Sequence, residues 1–320
     1  MHKFGVGKNL LILLLFVAFI LAGCAPANMV SVAKSKSSPG LLGSVLEKKV
    51  LVIATDASYP PQSELHANLP RAQDTSCDPS TFTANQLSGF DVDVAVEIAR
   101  RLGVEPCFVT PGWSQIIAGN WDGRWDVSIG SMVITKDRMQ TLLFTQPYIS
   151  GAAVLFVQKD NPQFTRPSDL SGKKIGVCAG CAYESYLKGT LTIPGEKIDF
   201  KIKDAIIVGY DTDTSALKAL GENTGDHLDA VMTDPDTGRL AIQSGLPLKE
   251  LPEVVYHDYS GIALDKKSVE DPYPFLEKLN GLVQEMHQDG TLLALSQKYY
   301  HGDFTSPAKI FDINSLHQVP

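Results

Sequence analysis

The sequence has no cluster of lysines and arginines; its basic residues are scattered and the formal net charge is −8. It therefore offers no footing for a nucleic acid, which needs a concentrated basic surface. It has no Ser-His-Asp arrangement, no paired carboxylates in a distinctive motif and no metal-ligand spacing. His66, His227, His257, His287 and His301 show no ligand pattern, so neither a metal nor a cofactor is expected. One long apolar run is present, Leu10–Leu21, with no second membrane segment after it. Cysteine is scarce, with five in 320 residues. The remaining composition, 44% hydrophobic and 20% charged, is that of a globular chain long enough for two domains.

The amino terminus reads as a targeting segment. Lys3 and Lys8 precede the apolar run, which is shorter than the roughly 20 residues a membrane span needs. Leu21-Ala22-Gly23-Cys24 then resembles a bacterial lipoprotein box. We expect cleavage after residue 23, lipid on Cys24 and a membrane tether through that lipid, outside the cytoplasm. Losing Lys3 and Lys8 would take the charge from −8 to −10. Ala25–Gly40 is small and polar, and residues 24–44 are expected to form a flexible stalk.

Export makes the other four cysteines meaningful. Cys77, Cys107, Cys178 and Cys181 can pair in three ways. Proximity favours Cys77 with Cys107 and Cys178 with Cys181. The Cys-x-x-Cys spacing also suits redox chemistry or a metal, but no second such pair and no nearby histidine support zinc.

Asp126–Arg138 is the most informative stretch. Asp126–Ile129 is a short apolar strand, Gly130 and Ser131 break it, and Thr135 can cap a helix whose first turn holds Lys136, Asp137 and Arg138. Loop amides beside a guanidinium suit a carboxylate. Around it the periods alternate. Strands are expected at Val50–Thr55, Cys107–Thr110, Val154–Val157, Ile175–Cys178, Ile206–Tyr210 and Leu228–Thr233. Helices are expected after Gly89, from Trp113, at Ala182–Lys188, Thr214–Leu220 and Asp236–Ser244, and around Phe275–Met286. Gln62–Ser88 reads as a loop insertion. The alternation implies an α/β fold with mainly parallel sheets in two similar sets, hence two lobes.

In this order the motifs resemble the extracytoplasmic solute-binding proteins of polar amino acid ABC transporters, family 3. The stretches that carry the resemblance are Thr55–Pro61, Gly89–Ala95, Gly130–Thr135 with Arg138, Phe144–Tyr148, Leu170–Val177, Asp229–Asp234 and Gly290-Thr291. The resemblance implies a type II clamshell with two crossover strands as hinge. One lobe would be 45–154 with 260–320, the other 155–259. It implies a small-molecule ligand, an amino acid or related carboxylate, and an ABC transporter permease as partner. Arg138 matches the residue that grips the α-carboxylate, and Asp234 the one that pairs with the α-ammonium. Asp56, Tyr59 and Trp113 match side-chain pocket positions, and Gly130 and Ser131 match backbone and hydroxyl contacts. Cys178, Cys181 and Ala182 fall in the second lobe's binding turn.

This sequence departs from the family pattern. Val133 stands where a threonine is usual, Cys181 follows Gly180 where Gly-Thr is usual, and Gln62 replaces a phenylalanine. Asp234, directly before Pro235, is also a good helix cap in its own right. A second reading is an enzyme on the same fold, of the cyclohexadienyl dehydratase kind. It would need a general acid in the cleft, for which Asp56, Glu64 or Glu184 are the candidates.

Overall fold

The computed structural model describes Met1, residues 40–225 and residues 227–316. Apart from Met1, the expected leader 1–23, Cys24 and the stalk to residue 39 lie outside the described residues. Among the described residues no helix is long and apolar enough to cross a membrane.

Two sheets organise the chain. The first has six strands in the order Phe82–Thr83, Glu105–Val109, Val50–Ala54, Val127–Ser128, Ala263–Asp265 and Leu142–Phe144. Its centre is parallel, with Ile53 paired to Phe108 on one side and Val127 on the other. Five apolar residues in a row suit a strand covered on both faces, and Leu51 and Ile53 are fully buried. Helix Phe90–Leu102 covers this sheet with Phe90, Val94, Ile98 and Leu102. Asp91 and Asp93 stand in its first turn and Arg100 and Arg101 in its last, the order the helix dipole favours. Helices Tyr273–Gln288 and Thr291–Tyr300 add Phe275, Leu279, Val283 and Leu292 to the same core.

The second sheet runs Ile206–Tyr210, Lys174–Cys178, Ala230–Thr233, Ile149–Gln158, Leu248–Glu250. Ile175 pairs in parallel with Ile207 and Ala230, whereas Met232 meets Leu155 antiparallel. It has its own apolar clusters: Leu155, Val157, Ile175, Val177 and Met232 in one, Phe156, Leu217, Leu220 and Val231 in the other. Each such side chain contributes roughly 1.5–3 kcal/mol when fully buried, so each lobe has a core of its own.

The chain crosses between the sheets twice, outward along Ile149–Gln158 and back along Tyr256–Ser260. These strands pair antiparallel, with Gly151 opposite Asp258. A Cβ on Gly151 would sit 2.6 Å from Asp258 Oδ1, so glycine leaves the room that this carboxylate occupies. The result is the two-lobed α/β architecture expected from the sequence.

Three local expectations differ. Residues Gly40–Lys48 form a helix where a stalk was expected through residue 44. Leu41, Leu42 and Val45 share one face and bury in the first core, a short apolar signal easily lost beside the polar run before it. Gln62–Ser88 is not only loop: Ser58–Tyr59, Ser63–Leu65 and Leu87–Ser88 make a three-stranded sheet. Strands of two or three residues are too short to show a period. Thr135 does accept from the Arg138 amide, at 3.2 Å, but only the single 3-10 turn Arg138–Gln140 follows before strand Leu142–Phe144 begins.

Candidate ligand-binding site

A cavity of about 430 Å³ lies between the two sheets, lined from both lobes and from the crossover strands. Its volume falls in the range of small-molecule sites. All eleven ligand-contact positions expected from the sequence line it: Asp56, Tyr59, Trp113, Gly130, Ser131, Val133, Arg138, Cys178, Cys181, Ala182 and Asp234.

From the first lobe comes the cation. Arg138 is only 7% exposed. Its guanidinium donates to the carbonyls of Val133 (2.9 Å) and Gly180 (3.1 Å), and lies 5.2 Å from the centre of the Trp113 ring. Among the described residues it donates to no carboxylate. Burial lowers its pKa to about 10, although Tyr256 and Asp258 oppose that shift. A buried arginine with no carboxylate bonded to it costs several kcal/mol.

The loop before Arg138 differs from its sequence reading. The Ser131 amide is not free: it donates to Tyr148 Oη at 2.9 Å. The Ser131 and Tyr148 hydroxyls both donate to Asp91 Oδ1, at 3.1 and 2.8 Å. Burial nevertheless holds the Asp91 carboxyl near 7. This network fixes the loop, with Ser131 in the left-handed region at φ 46°.

From the second lobe come two acids, the buried Asp213 and the half-buried Asp234. Asp234 caps helix Pro235–Gln243, its Oδ1 accepting from the amides of Asp236 (2.9 Å) and Thr237 (3.2 Å). Capping and cleft lining thus coincide in one residue. Desolvation raises Asp234 to about 7, Asp236 adding to the rise and the two amides opposing it. Asp213 begins helix Asp213–Gly221, is 4% exposed and is also held near 7 by burial. Cys178 ends its strand, Cys181 caps helix Ala182–Leu187, and the two are disulfide-bonded. The second disulfide joins Cys77 to Cys107. The pairing that proximity favoured is therefore the one found. Sulfurs bonded to each other have no thiolate to give a metal, which removes the zinc reading of the Cys-x-x-Cys pair.

The lobes touch across the cavity. Gln62 Nε2 donates to Asp234 Oδ1 at 3.2 Å, and Thr237 Oγ1 donates to the Pro60 carbonyl at 3.0 Å. The Tyr59 and Tyr183 hydroxyls are 3.3 Å apart, and the Lys136 amide donates to the Thr192 carbonyl at 3.0 Å. Sequence reasoning noted Gln62 only as a departure from the family's phenylalanine, and did not single out Tyr183, Asp213 or Asp258 as contacts. Gln62 could have been suspected from its place two residues after the Pro60 turn; the single acids Asp213 and Asp258 stand in no motif. Asp258, 4% exposed on the returning crossover strand, is raised to about 7 by burial, with Arg138 pulling it down. Glu64 and Glu184 do not line the cavity; Glu184 Oε2 accepts from the Gly180 amide at 2.6 Å.

A model of the bacterial extracellular solute-binding proteins, family 3, matches residues 71–302. The L-cystine-binding protein TcyJ of Escherichia coli (strain K12) is 30% identical over 280 residues, covering 85% of this chain and 90% of that protein. Among solved structures, a truncated arginine-bound ArgBP from T. maritima superposes with a TM-score of 0.60 at 27% identity, covering 76% of this chain and 99% of that one. An ancestral amino acid-binding protein, described as a precursor of cyclohexadienyl dehydratase, gives a TM-score of 0.63 at 25% identity, covering 82% and 99%. The fold is accordingly that of the type II periplasmic binding proteins. On its motifs, its architecture and these matches, the chain belongs to the bacterial extracellular solute-binding proteins, family 3.

Proposed function

We propose that the chain captures an amino acid between its lobes, outside the cytoplasm, and hands it to an ABC transporter permease. Arg138 takes the α-carboxylate and Asp234 the α-ammonium. The observation that carries this reading is the buried Arg138, facing a cavity whose opposite wall is acidic. A zwitterion supplies each side with the charge it lacks, and bonds to charged groups are worth about 1.5–3 kcal/mol each. Trp113 and Tyr59 flank the side chain. Residues 45–154 with 260–320, and 155–259, move as two bodies about the crossover strands, and the ligand favours the closed form. The names of the relatives above, which bind cystine and arginine, agree with an amino acid. The dehydratase reading keeps only Asp56 of its three candidate acids at the cavity. Lipid on Cys24 tethers the protein, and Cys24→Ala should release it from membranes in soluble form.

A thermal-shift screen against the twenty amino acids, cystine and simple carboxylates tests the function. A ligand at 100 times its Kd stabilises by about 2.7 kcal/mol. Hits among amino acids alone are expected; turnover of prephenate or arogenate by the purified protein would overturn the reading.

A further inference from the structure

The charges lining the cavity do not balance for a neutral amino acid. Asp56, Asp213, Asp234 and Asp258 face it against the single buried base Arg138. The other charged groups along the cavity are already engaged: Arg239 pairs with Glu250 at 2.7 Å and Asp236 at 3.6 Å, and Asp303 accepts from Thr305 and Ser306. A ligand with one ammonium and one carboxylate leaves that surplus of acid unchanged.

Asp213 is the acid with least to do. Thr212, not Asp213, caps its helix, Thr212 Oγ1 accepting from the Ser215 amide at 3.1 Å. Asp213 Oδ1 is buried without a hydrogen-bond partner in good geometry, although such groups are almost always satisfied; the Thr233 hydroxyl lies near enough to lower the Asp213 pKa but does not offset burial. The disulfide walls this corner: the Cys178 and Cys181 sulfurs and an Asp213 carboxylate oxygen all lie within 4.8 Å of one another. Sulfurs in a disulfide offer the carboxylate no strong donor, so the disulfide does not neutralise it. Tyr59 and Tyr183 flank the same region, their ionisation opposed by Asp213. Asp56 lies close enough from the other lobe to disfavour the charge on Asp213.

We infer that the ligand carries a second cationic group, an ammonium or guanidinium, and that Asp213 receives it beside the disulfide with Asp56 assisting from the opposite lobe. This deepens the amino acid reading above and rests on it. The second cation supplies what a neutral side chain cannot, and the pocket selects by that charge.

Isothermal titration of the protein with charged probes and their neutral isosteres tests the inference. The pairs are L-lysine with L-norleucine and L-arginine with L-citrulline. We expect at least one of the two cationic probes to bind, the isosteres to bind ten-fold or more weakly, and Asp213→Asn to erase that preference. Asp56→Asn, on the other lobe, should reduce the same preference, so the test does not depend on one variant folding. Norleucine, citrulline or glutamine binding as tightly as the cationic probes would overturn the subsite while leaving the amino acid reading intact. So would an unchanged preference in both variants. Failure of every amino acid to bind would overturn both.

Discussion

The two lobes are built alike but present different charges to the cavity: the buried cation Arg138 stands on the first with the half-buried acid Asp56, and the buried acid Asp213 and half-buried Asp234 stand on the second. Each is an α/β layer on a mixed sheet, part parallel and part antiparallel rather than mainly parallel as expected from the sequence, and each presents the ends of its strands to the cavity. The first contributes Arg138, stacked near Trp113 and carried by a loop that Tyr148 and Asp91 lock in place. The second contributes Asp213 and Asp234 at two helix starts, with a disulfide between strand and helix. Arg138 and Asp234, the pair proposed for the zwitterion, stand on different lobes. That separation ties capture to closure: a ligand with both charges gains its full contacts only when both walls reach it.

The strongest way to break the comparison is to remove the cation. Arg138→Ala should lower amino acid affinity by about 1,000-fold, on the order of 4 kcal/mol, as expected for a buried charge pair losing one partner. The melting temperature of the ligand-free protein should change little, since the guanidinium bonds to two carbonyls and the buried Asp258, which Arg138 otherwise pulls down, can stay protonated without it. Calorimetric titration and a thermal melt check the two halves of this prediction. Retained affinity would take the carboxylate away from the first lobe.

The two disulfides sharpen the comparison next. Cys77–Cys107 spans 30 residues and joins the first lobe's long insertion to its sheet, so its removal should cost about 3–4 kcal/mol on the chain-entropy model. Cys178–Cys181 spans 3 residues and by the same relation constrains the unfolded chain by only about 2 kcal/mol. Chemical denaturation of Cys77→Ser/Cys107→Ser and Cys178→Ser/Cys181→Ser double variants should rank them in that order. Ligand affinity should fall in the second variant alone, because only that disulfide touches the cavity.

Asp234→Asn should weaken amino acids by about 100-fold, roughly 2.7 kcal/mol, and simple carboxylates hardly at all. Asparagine can still cap the helix, so the fold should survive. Equal losses for both ligand types would show that Asp234 is only a cap.

The smallest effect concerns pH. Asp91, Asp213, Asp234 and Asp258 are held near 7 in the folded protein, mainly by burial, against an ordinary value of 3.8. The folded state therefore binds protons more tightly than the unfolded state between about pH 4 and 7. The stability this gives is complete at low pH and is lost as pH rises through 7. Ligand-free protein should melt at a lower temperature at pH 8 than at pH 6 as far as these groups are concerned, and a bound cationic ligand should narrow the gap. Melts at both pH values, with and without ligand, measure it.

Much of this arrangement was legible in the chain. Long apolar runs such as Val50–Thr55 and Ile206–Tyr210 gave away their strands. Arg138 was legible because it follows a strand, a Gly-Ser break and a capping threonine. What escaped was local signal too short to read or contact made at a distance. Helix Gly40–Lys48 hides behind a polar run, and the strands Ser58–Tyr59 and Ser63–Leu65 are too brief to show alternation. Asp213 and Asp258 are ordinary acids in sequence; only the crossover strands and the helix start bring them to one cavity. Among the loop amides before Arg138, that of Ser131 is taken because Tyr148, 17 residues on, returns to it.

The most direct measurement compares an amino acid that binds with its two halves: the amine lacking the carboxylate and the acid lacking the ammonium. If opposite lobes hold opposite charges, each half should bind at least 100-fold more weakly than the whole by isothermal titration. The amine should then be indifferent to Arg138→Ala, and the acid indifferent to Asp234→Asn. A half-molecule that binds as tightly as the amino acid would contradict the account, because one lobe would then suffice.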